Sequence, residues 1–84
     1  MKFNTAFLQP LLDPKVRQTL AARNDVTQDI LEKLAQDPEY DVRLAVAKNS
    51  FTSVEILKIL CNDKTLGVKN TAEKTIINLT SQRH

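Results

Sequence analysis

Apolar residues recur along this chain at the spacing of short amphipathic helices. Val16 and Leu20 are four positions apart, as are Val42 and Val46, so each pair lies on one side of a helix. A second kind of apolar run follows each pair, and its members are Ile30, Leu31 and Leu34, then Ile56, Leu57 and Leu60. The pattern therefore predicts an all-α chain whose short helices come in pairs.

The pattern repeats with a period of 26 residues. Val16-Arg17, Val42-Arg43 and Val68-Lys69 are 26 positions apart, whereas Asn24 and Asn49 are 25 apart, which predicts a local shift of one residue. A fixed period of about 20–50 residues is typical of stacked repeats, in which no unit buries its apolar face alone. The expected divisions of a single domain spanning 1–84 are 1–12 (N-terminal cap), 13–36 and 37–62 (repeats), and 63–84 (partial repeat and C-terminal cap).

Capping residues mark the first helix of each unit. Asp13-Pro14 and Asp37-Pro38 are expected to begin it, because an aspartate carboxylate accepts free backbone N–H groups and proline suits the first turn. Asn24 and Asn49 are expected to end it, because asparagine tolerates the left-handed conformation that often follows a helix.

The second helix of each unit is expected to begin at Thr27 or Thr52. Thr52 and Glu55 have the spacing of a capping box, in which each side chain bonds the other's backbone N–H. The last unit has no turn of this kind, so one longer helix is expected over residues 64–80, with a stripe of Val68, Ala72, Ile76 and Leu79. At the other end, Phe3 and Phe7 are expected to close the stack.

The middle unit resembles the repeat of the leucine-rich repeat variant family, which is similar in style to HEAT and armadillo repeats. The matching residues are Asp37-Pro38, Val42-Arg43, Val46-Ala47, Asn49, Thr52, Leu57, Leu60 and Asp63. The resemblance extends over residues 13–76. It implies a short right-handed α-solenoid of about three paired-helix repeats with a longer C-terminal capping helix, and a surface for protein interaction. Some members hold an iron–sulfur centre, which the single Cys61 cannot ligate.

Composition narrows the class of protein only slightly. The net charge of +2 is distributed as +2 over residues 1–28, −3 over 29–57 and +3 over 58–84. A single cysteine cannot form an internal disulfide, which fits a reducing, cytoplasmic setting. The first residues lack the pattern of a signal peptide, and no apolar run approaches the roughly 18 residues that span a bilayer. No membrane partner is therefore expected.

One basic residue per unit follows the repeated valine. These residues, Arg17, Arg43 and Lys69, could bind phosphates or an acidic partner. The preferred interpretation is structural, because one charge of each sign per unit stacks naturally in a one-dimensional array. Each base would then pair with a nearby aspartate in a charge ladder of Asp13, Arg17, Asp37, Arg43, Asp63 and Lys69.

Arg23, Lys48 and Lys74 lie near the expected C-terminal end of each first helix. They either complement the negative end of the helix dipole or bind a partner. Tyr40, the only tyrosine, is either an interface anchor or a half-exposed packing residue. The partner-binding candidates are thus Arg23, Tyr40, Lys48 and Lys74.

No residues of the kind that carry catalysis stand together in the sequence. The only histidine is the terminal His84, and a single glycine cannot form a Gly-rich phosphate loop. We therefore expect no enzyme activity and no catalytic, cofactor-binding or metal-ligating residue. Phe51 is expected to fill the core at the turn between helices, and Cys61 to be a small buried apolar residue.

These observations favour a non-enzymatic protein–protein interaction module whose partner is another protein. Nucleic-acid backbone binding through the basic residues is the alternative, although no aromatic residues interleave with them to stack on bases. A homodimer that completes the small core is a third alternative, which native mass at several concentrations would test.

Overall fold

The helices of the structure follow the paired pattern of the sequence. The computed structural model describes residues 13–81, and within that range it contains five α-helices and no strand. They are α1 (Pro14–Ala21), α2 (Gln28–Leu34), α3 (Tyr40–Lys48), α4 (Val54–Leu60) and α5 (Leu66–Ser81). The all-α prediction is confirmed for this part of the chain, and none of the five helices is long and apolar enough to cross a bilayer.

Helix starts keep a constant period of 26 residues over the described range, at Pro14, Tyr40 and Leu66 for α1, α3 and α5, and at Gln28 and Val54 for α2 and α4. The local shift of one residue predicted from Asn24 and Asn49 is therefore wrong. Asn49 occupies the position equivalent to Arg23, and its likeness to Asn24 is coincidental.

The helix α3 lies at the centre of the packing. It contacts the other four helices, with α1 and α5 beside it, while α2 also contacts α1 and α4 also contacts α5. All five helices contribute fully buried apolar side chains to one core, so no helix pair buries its apolar face alone. The largest of these side chains are Leu31, Leu34, Val42, Val46, Leu57, Leu60 and Val68.

The caps of α1 and α2 are those predicted from the sequence. Asp13 Oδ1 accepts a hydrogen bond from the backbone N–H of Lys15 at 2.7 Å, directly before α1. Thr27 Oγ1 accepts one from the backbone N–H of Ile30 at 3.3 Å, directly before α2. Each side chain satisfies a backbone donor that the helix leaves free.

The prediction that Asp37 caps α3 is wrong. Asp37 Oδ1 accepts from the backbone N–H of Glu39 at 3.0 Å, and Pro38 therefore lies in a turn. Glu39 is the residue that precedes the helix, and its side chain makes no capping hydrogen bond. The Asp37 carboxylate is instead drawn to Arg17, as described below.

The capping box predicted for Thr52 and Glu55 is also wrong, by one position. Ser53 precedes α4, and its Oγ accepts from the backbone N–H of Ile56 at 3.3 Å. Thr52 is buried, and its Oγ1 donates to the backbone oxygen of Val46 at 2.9 Å. The threonine is thus held by the end of α3 and is unavailable to cap α4.

The predicted left-handed helix ends do not occur. No described non-glycine residue has a positive φ; α1 ends at Ala21, and Asn49 follows α3 in an extended conformation with φ of −79° and ψ of 113°. Asn49 Nδ2 donates to the backbone oxygens of Ala21 and Arg23, at 3.0 and 2.7 Å. The side chain therefore joins the end of α3 to the end of α1.

The same link recurs one period later. Thr75 in α5 is equivalent to Asn49, and its Oγ1 donates to the backbone oxygen of Ala47 at 2.6 Å. Ala47 is in turn equivalent to Ala21, so both contacts join one first helix to the next.

Two side chains predicted to be buried are more exposed than expected. Phe51 is 43% exposed, because Thr52 beside it fills the buried position that Val26 fills in the preceding unit. Cys61 is half-buried against the core, and burial raises the pKa of its thiol. The predicted N-terminal cap at 1–12, with Phe3 and Phe7, lies outside the described residues, as does His84.

Candidate interaction surface

Buried arginine–aspartate pairs join consecutive units. Arg17 in α1 donates from Nε and Nη2 to the two carboxylate oxygens of Asp37, at 2.7 and 3.1 Å. The side chains are 4% and 1% exposed. Because Asp37 also accepts the N–H of Glu39, its carboxylate ties α1 to the turn that precedes α3.

The same arrangement recurs between α3 and the turn before α5. Arg43 donates from Nε and Nη2 to the carboxylate of Asp63, at 2.8 and 3.3 Å. Its Nη1 donates to the backbone oxygen of Asp37 at 2.7 Å, and Nη2 also reaches Thr65 Oγ1 at 3.1 Å. All three guanidinium nitrogens are bonded, so Arg43 is not free to bind a partner.

The remaining members of the predicted charge ladder have other contacts. Asp13 caps α1. Lys69 Nζ lies 3.6 Å from Glu73 Oε2, one turn further along α5, and both side chains are about half exposed. Lys69 is equivalent to Arg43 and Glu73 to Ala47, so positions that are buried on α3 carry an exposed ion pair on α5.

Burial and pairing act in opposite directions on Asp63. Burial, the largest single influence, raises the pKa of its carboxyl group, but hydrogen bonds from Arg43 and from the backbone N–H of Thr65 together hold the pKa below its ordinary value. The hydrogen bond to Asp37 likewise raises the pKa of Arg17 above its ordinary value. Arg17 and Asp63 are therefore charged at neutral pH.

The partner-binding candidates are not brought together at one site. Arg23 donates from Nε and Nη2 to the carboxylate of Asp25, at 2.7 and 2.6 Å, in an exposed pair beyond the end of α1. Tyr40 is 53% exposed at the first residue of α3, whereas Lys48 is the last residue of that helix. A rise of 1.5 Å per residue separates them by about 12 Å.

Lys48 and Lys74, in contrast, line one groove between α3 and α5, together with Leu44, Thr71, Thr75 and Asn78. A second groove, of about 550 Å³, lies between α1 and α3; Lys15 and Ala22 are on its α1 side, and Leu44 and Lys48 on its α3 side. Leu44 and Lys48 thus form a ridge that the two grooves share. We call the surface made of this ridge and its two grooves the grooved face.

The grooved face is positively charged. Its charged lining residues are Lys15, Asp41, Lys48 and Lys74, and none of the three lysines forms an ion pair with any residue in 13–81. Lys48 in the last turn of α3 also complements the helix dipole. Lys74 does not, because α5 continues to Ser81 and the dipole effect is confined to the last turn.

Sequence reasoning missed two members of the grooved face, Lys15 and Leu44. Leu44 carried a usable signal, since it lies four positions before Lys48 and therefore on the same side of α3. Lys15 carried none, because its equivalents are Asp41 and Gly67, and a charge that occurs in one unit leaves no mark on the repeat.

Within residues 13–81, no group of three or more histidine, cysteine or acidic side chains is arranged to hold a metal ion. The chain matches no known protein family, no curated protein and no solved structure in the comparisons made with each. What the grooved face does must therefore be argued from its own geometry.

Proposed function

We propose that this chain is a non-enzymatic protein-interaction module that binds its partner through the grooved face. The observation that carries the proposal is the shared ridge, where Leu44 and Lys48 offer an apolar and a charged contact to both grooves. Protein interfaces combine an apolar centre with polar and charged surroundings in this manner. A cytoplasmic location is part of the same proposal.

We also propose that the helices form a short right-handed α-solenoid similar to the leucine-rich repeat variant family. The support is the constant period of 26 residues between helix starts, together with the Arg17–Asp37 contact and its equivalent between Arg43 and Asp63. In such an array the first helices form one continuous surface, which is the kind of surface helical repeat proteins use for binding.

Nucleic-acid backbone binding is the second candidate, and the observation that favours it is the positive charge of the grooved face. Its arginines, however, are engaged elsewhere, since Arg17 and Arg43 are buried with aspartates and Arg23 is paired with Asp25. Each phosphate contact contributes a slope of about −0.9 to log K against log salt, so three lysines provide only a weak, salt-sensitive attraction.

The test is affinity capture from an extract of the source cells by the immobilised chain, after nuclease treatment to remove bridging nucleic acid. Lys48→Glu combined with Lys74→Glu reverses two charges on the grooved face. We expect the wild-type chain to retain specific proteins and this double variant to lose them, as judged by quantitative mass spectrometry.

The matched control is Lys33→Glu combined with Lys58→Glu, which makes the same charge change on α2 and α4, away from both grooves. Proteins retained equally by both double variants would contradict the assignment of the grooved face. Retention that disappears on nuclease treatment would support nucleic-acid binding instead.

A further inference from the structure

The chemistry of the grooved face specifies what kind of protein segment it fits. We propose that the face binds an acidic segment of a partner protein, with an apolar side chain of that segment seated between its carboxylates. This inference rests on the proposed protein-binding function and deepens it by naming the ligand class.

Charge complementarity is the first argument. Lys15, Lys48 and Lys74 lie on three neighbouring helices without an ion-pair partner among the described residues, and Asp41 is the single acid in the lining. A basic segment would face this excess of lysines, whereas an acidic one could place a carboxylate in each groove. Such complementarity steers encounter and selects among partners.

The apolar ridge is the second argument. Leu44 is half-buried against the core and borders both grooves, and Ala22 and Ala45 lie in the groove between α1 and α3. These side chains offer an apolar surface beside the lysines. A segment made only of acids would leave this surface uncovered, so the best-fitting ligand alternates acidic with apolar residues.

The same features disfavour a phosphate backbone on this face. Asp41 in the groove between α1 and α3 repels phosphates, and the face has no unpaired arginine to bind phosphate oxygens in a bidentate manner. Nucleic acid is therefore an alternative outcome of the test and not part of the inference.

The dimensions set the length of the segment. Packed helices are about 8–10 Å apart, so the span from α1 across α3 to α5 is about 16–20 Å. An extended peptide rises about 3.3 Å per residue and crosses this distance in about six residues. A probe of about 12 residues covers the face with a margin at each end.

The experiment measures fluorescence anisotropy of three labelled probes titrated with the full chain. The first probe is a peptide of about 12 residues that repeats Asp-Leu-Glu-Ala, and the second replaces each acid with its amide. The third is a DNA duplex of similar length. We expect the acidic peptide to bind at least about tenfold more tightly than the amide peptide, because only carboxylates pair with the lysines.

The variants locate the site. Lys48→Glu with Lys74→Glu should weaken binding of the acidic peptide by at least about tenfold, whereas Lys33→Glu with Lys58→Glu should leave it within about twofold. Circular dichroism of both variants should match the wild type, since all four positions are lysines on the helix surfaces. Equal binding of the two peptides, or equal loss in the two double variants, would overturn the inference, as would tighter binding of the duplex.

Failure of the inference and failure of the proposed function give different results. If proteins captured from the extract depend on Lys48 and Lys74 but the acidic peptide does not bind, the proposed function stands and the ligand class is wrong. If capture does not depend on these lysines, the proposed function itself fails.

Discussion

Arg43 is a charged residue whose role is structural. It follows the core residue Val42, and it is buried because Asp63, Thr65 and the backbone oxygen of Asp37 satisfy all three of its nitrogens. A buried guanidinium is tolerated only with partners of this kind, and loss of one partner leaves the other as an uncompensated buried charge.

Arg43→Ala should therefore destabilise the fold strongly. Breaking a buried pair by removing one member costs about 3–5 kcal/mol, and about 1 kcal/mol lowers the melting temperature of a domain this size by about 4–8 °C. Lys48→Ala, on the same helix but exposed, should change stability by no more than about 0.5 kcal/mol. Thermal melts at matched concentration test the pair, and an Arg43→Ala variant that melts like the wild type would contradict a structural role.

Asp63 should make stability depend on pH in the acid range. Its pKa is held below the ordinary value in the folded state, so its contribution is present above the unfolded pKa of about 3.9 and is lost as pH falls through the folded pKa. We expect the free energy of unfolding to decrease below about pH 4.

Asp63→Asn should be less stable than the wild type at neutral pH and should lose less stability on acidification. Urea denaturation at several pH values measures both effects. Asp29→Asn, which removes an exposed acid from α2, should retain the wild-type pH profile. An unchanged acid limb in Asp63→Asn would show that the Arg43–Asp63 pair does not govern it.

At the scale of the helices, side chains at the end of one first helix bond the backbone of another. Asn49 donates to the ends of α1 at Ala21 and Arg23, and Thr75 donates to Ala47 near the end of α3. Carbonyl groups at the ends of helices have no partner within the helix. The links satisfy these groups and fix the distance between neighbouring first helices.

Asn49→Ala should consequently lower stability by about 1–3 kcal/mol, because it leaves buried carbonyl groups without a donor. Asn24→Ala is the matched control, since Asn24 is exposed and should tolerate the same change within about 0.5 kcal/mol. Chemical denaturation of both variants provides the comparison. Equal effects at the two positions would favour the 25-residue register over the 26-residue period of the structure.

At the scale of the whole molecule, α3 holds the described chain together. It packs against α1, α2, α4 and α5, and three of its residues, Val42, Val46 and Ala47, are fully buried. Local opening is least favourable where buried contacts are densest. The outer sides of α1 and α5 lack an equivalent neighbour among residues 13–81.

Hydrogen exchange should therefore be slowest in α3 and faster in α1. Backbone amides of buried, centrally packed helices exchange only through large-scale unfolding, whereas peripheral helices open locally. Mass spectrometry with deuterium labelling and peptic digestion measures this gradient directly. Protection that is uniform, or greatest in α1, would mean that the chain does not unfold from its edges.

The sequence by itself determined the class of structure and most of its division into helices. The 26-residue period and the helical spacing of apolar residues are local features, so they predicted paired helices and a longer last helix that the structure contains. The caps at Asp13 and Thr27 were predictable for the same reason, since an N-cap contacts residues only two or three positions away.

Tertiary contacts decided the side chains whose partners lie far away in sequence. Asp37 and Thr52 have the residue types of helix caps, yet Asp37 is bound by Arg17, 20 positions earlier, and Thr52 fills a buried position at the end of α3. Lys48 and Lys74 meet at one groove only because α3 and α5 pack side by side. A capping preference of about 1 kcal/mol is easily outweighed by a buried ion pair or a core position, and only the folded chain brings such competing partners together.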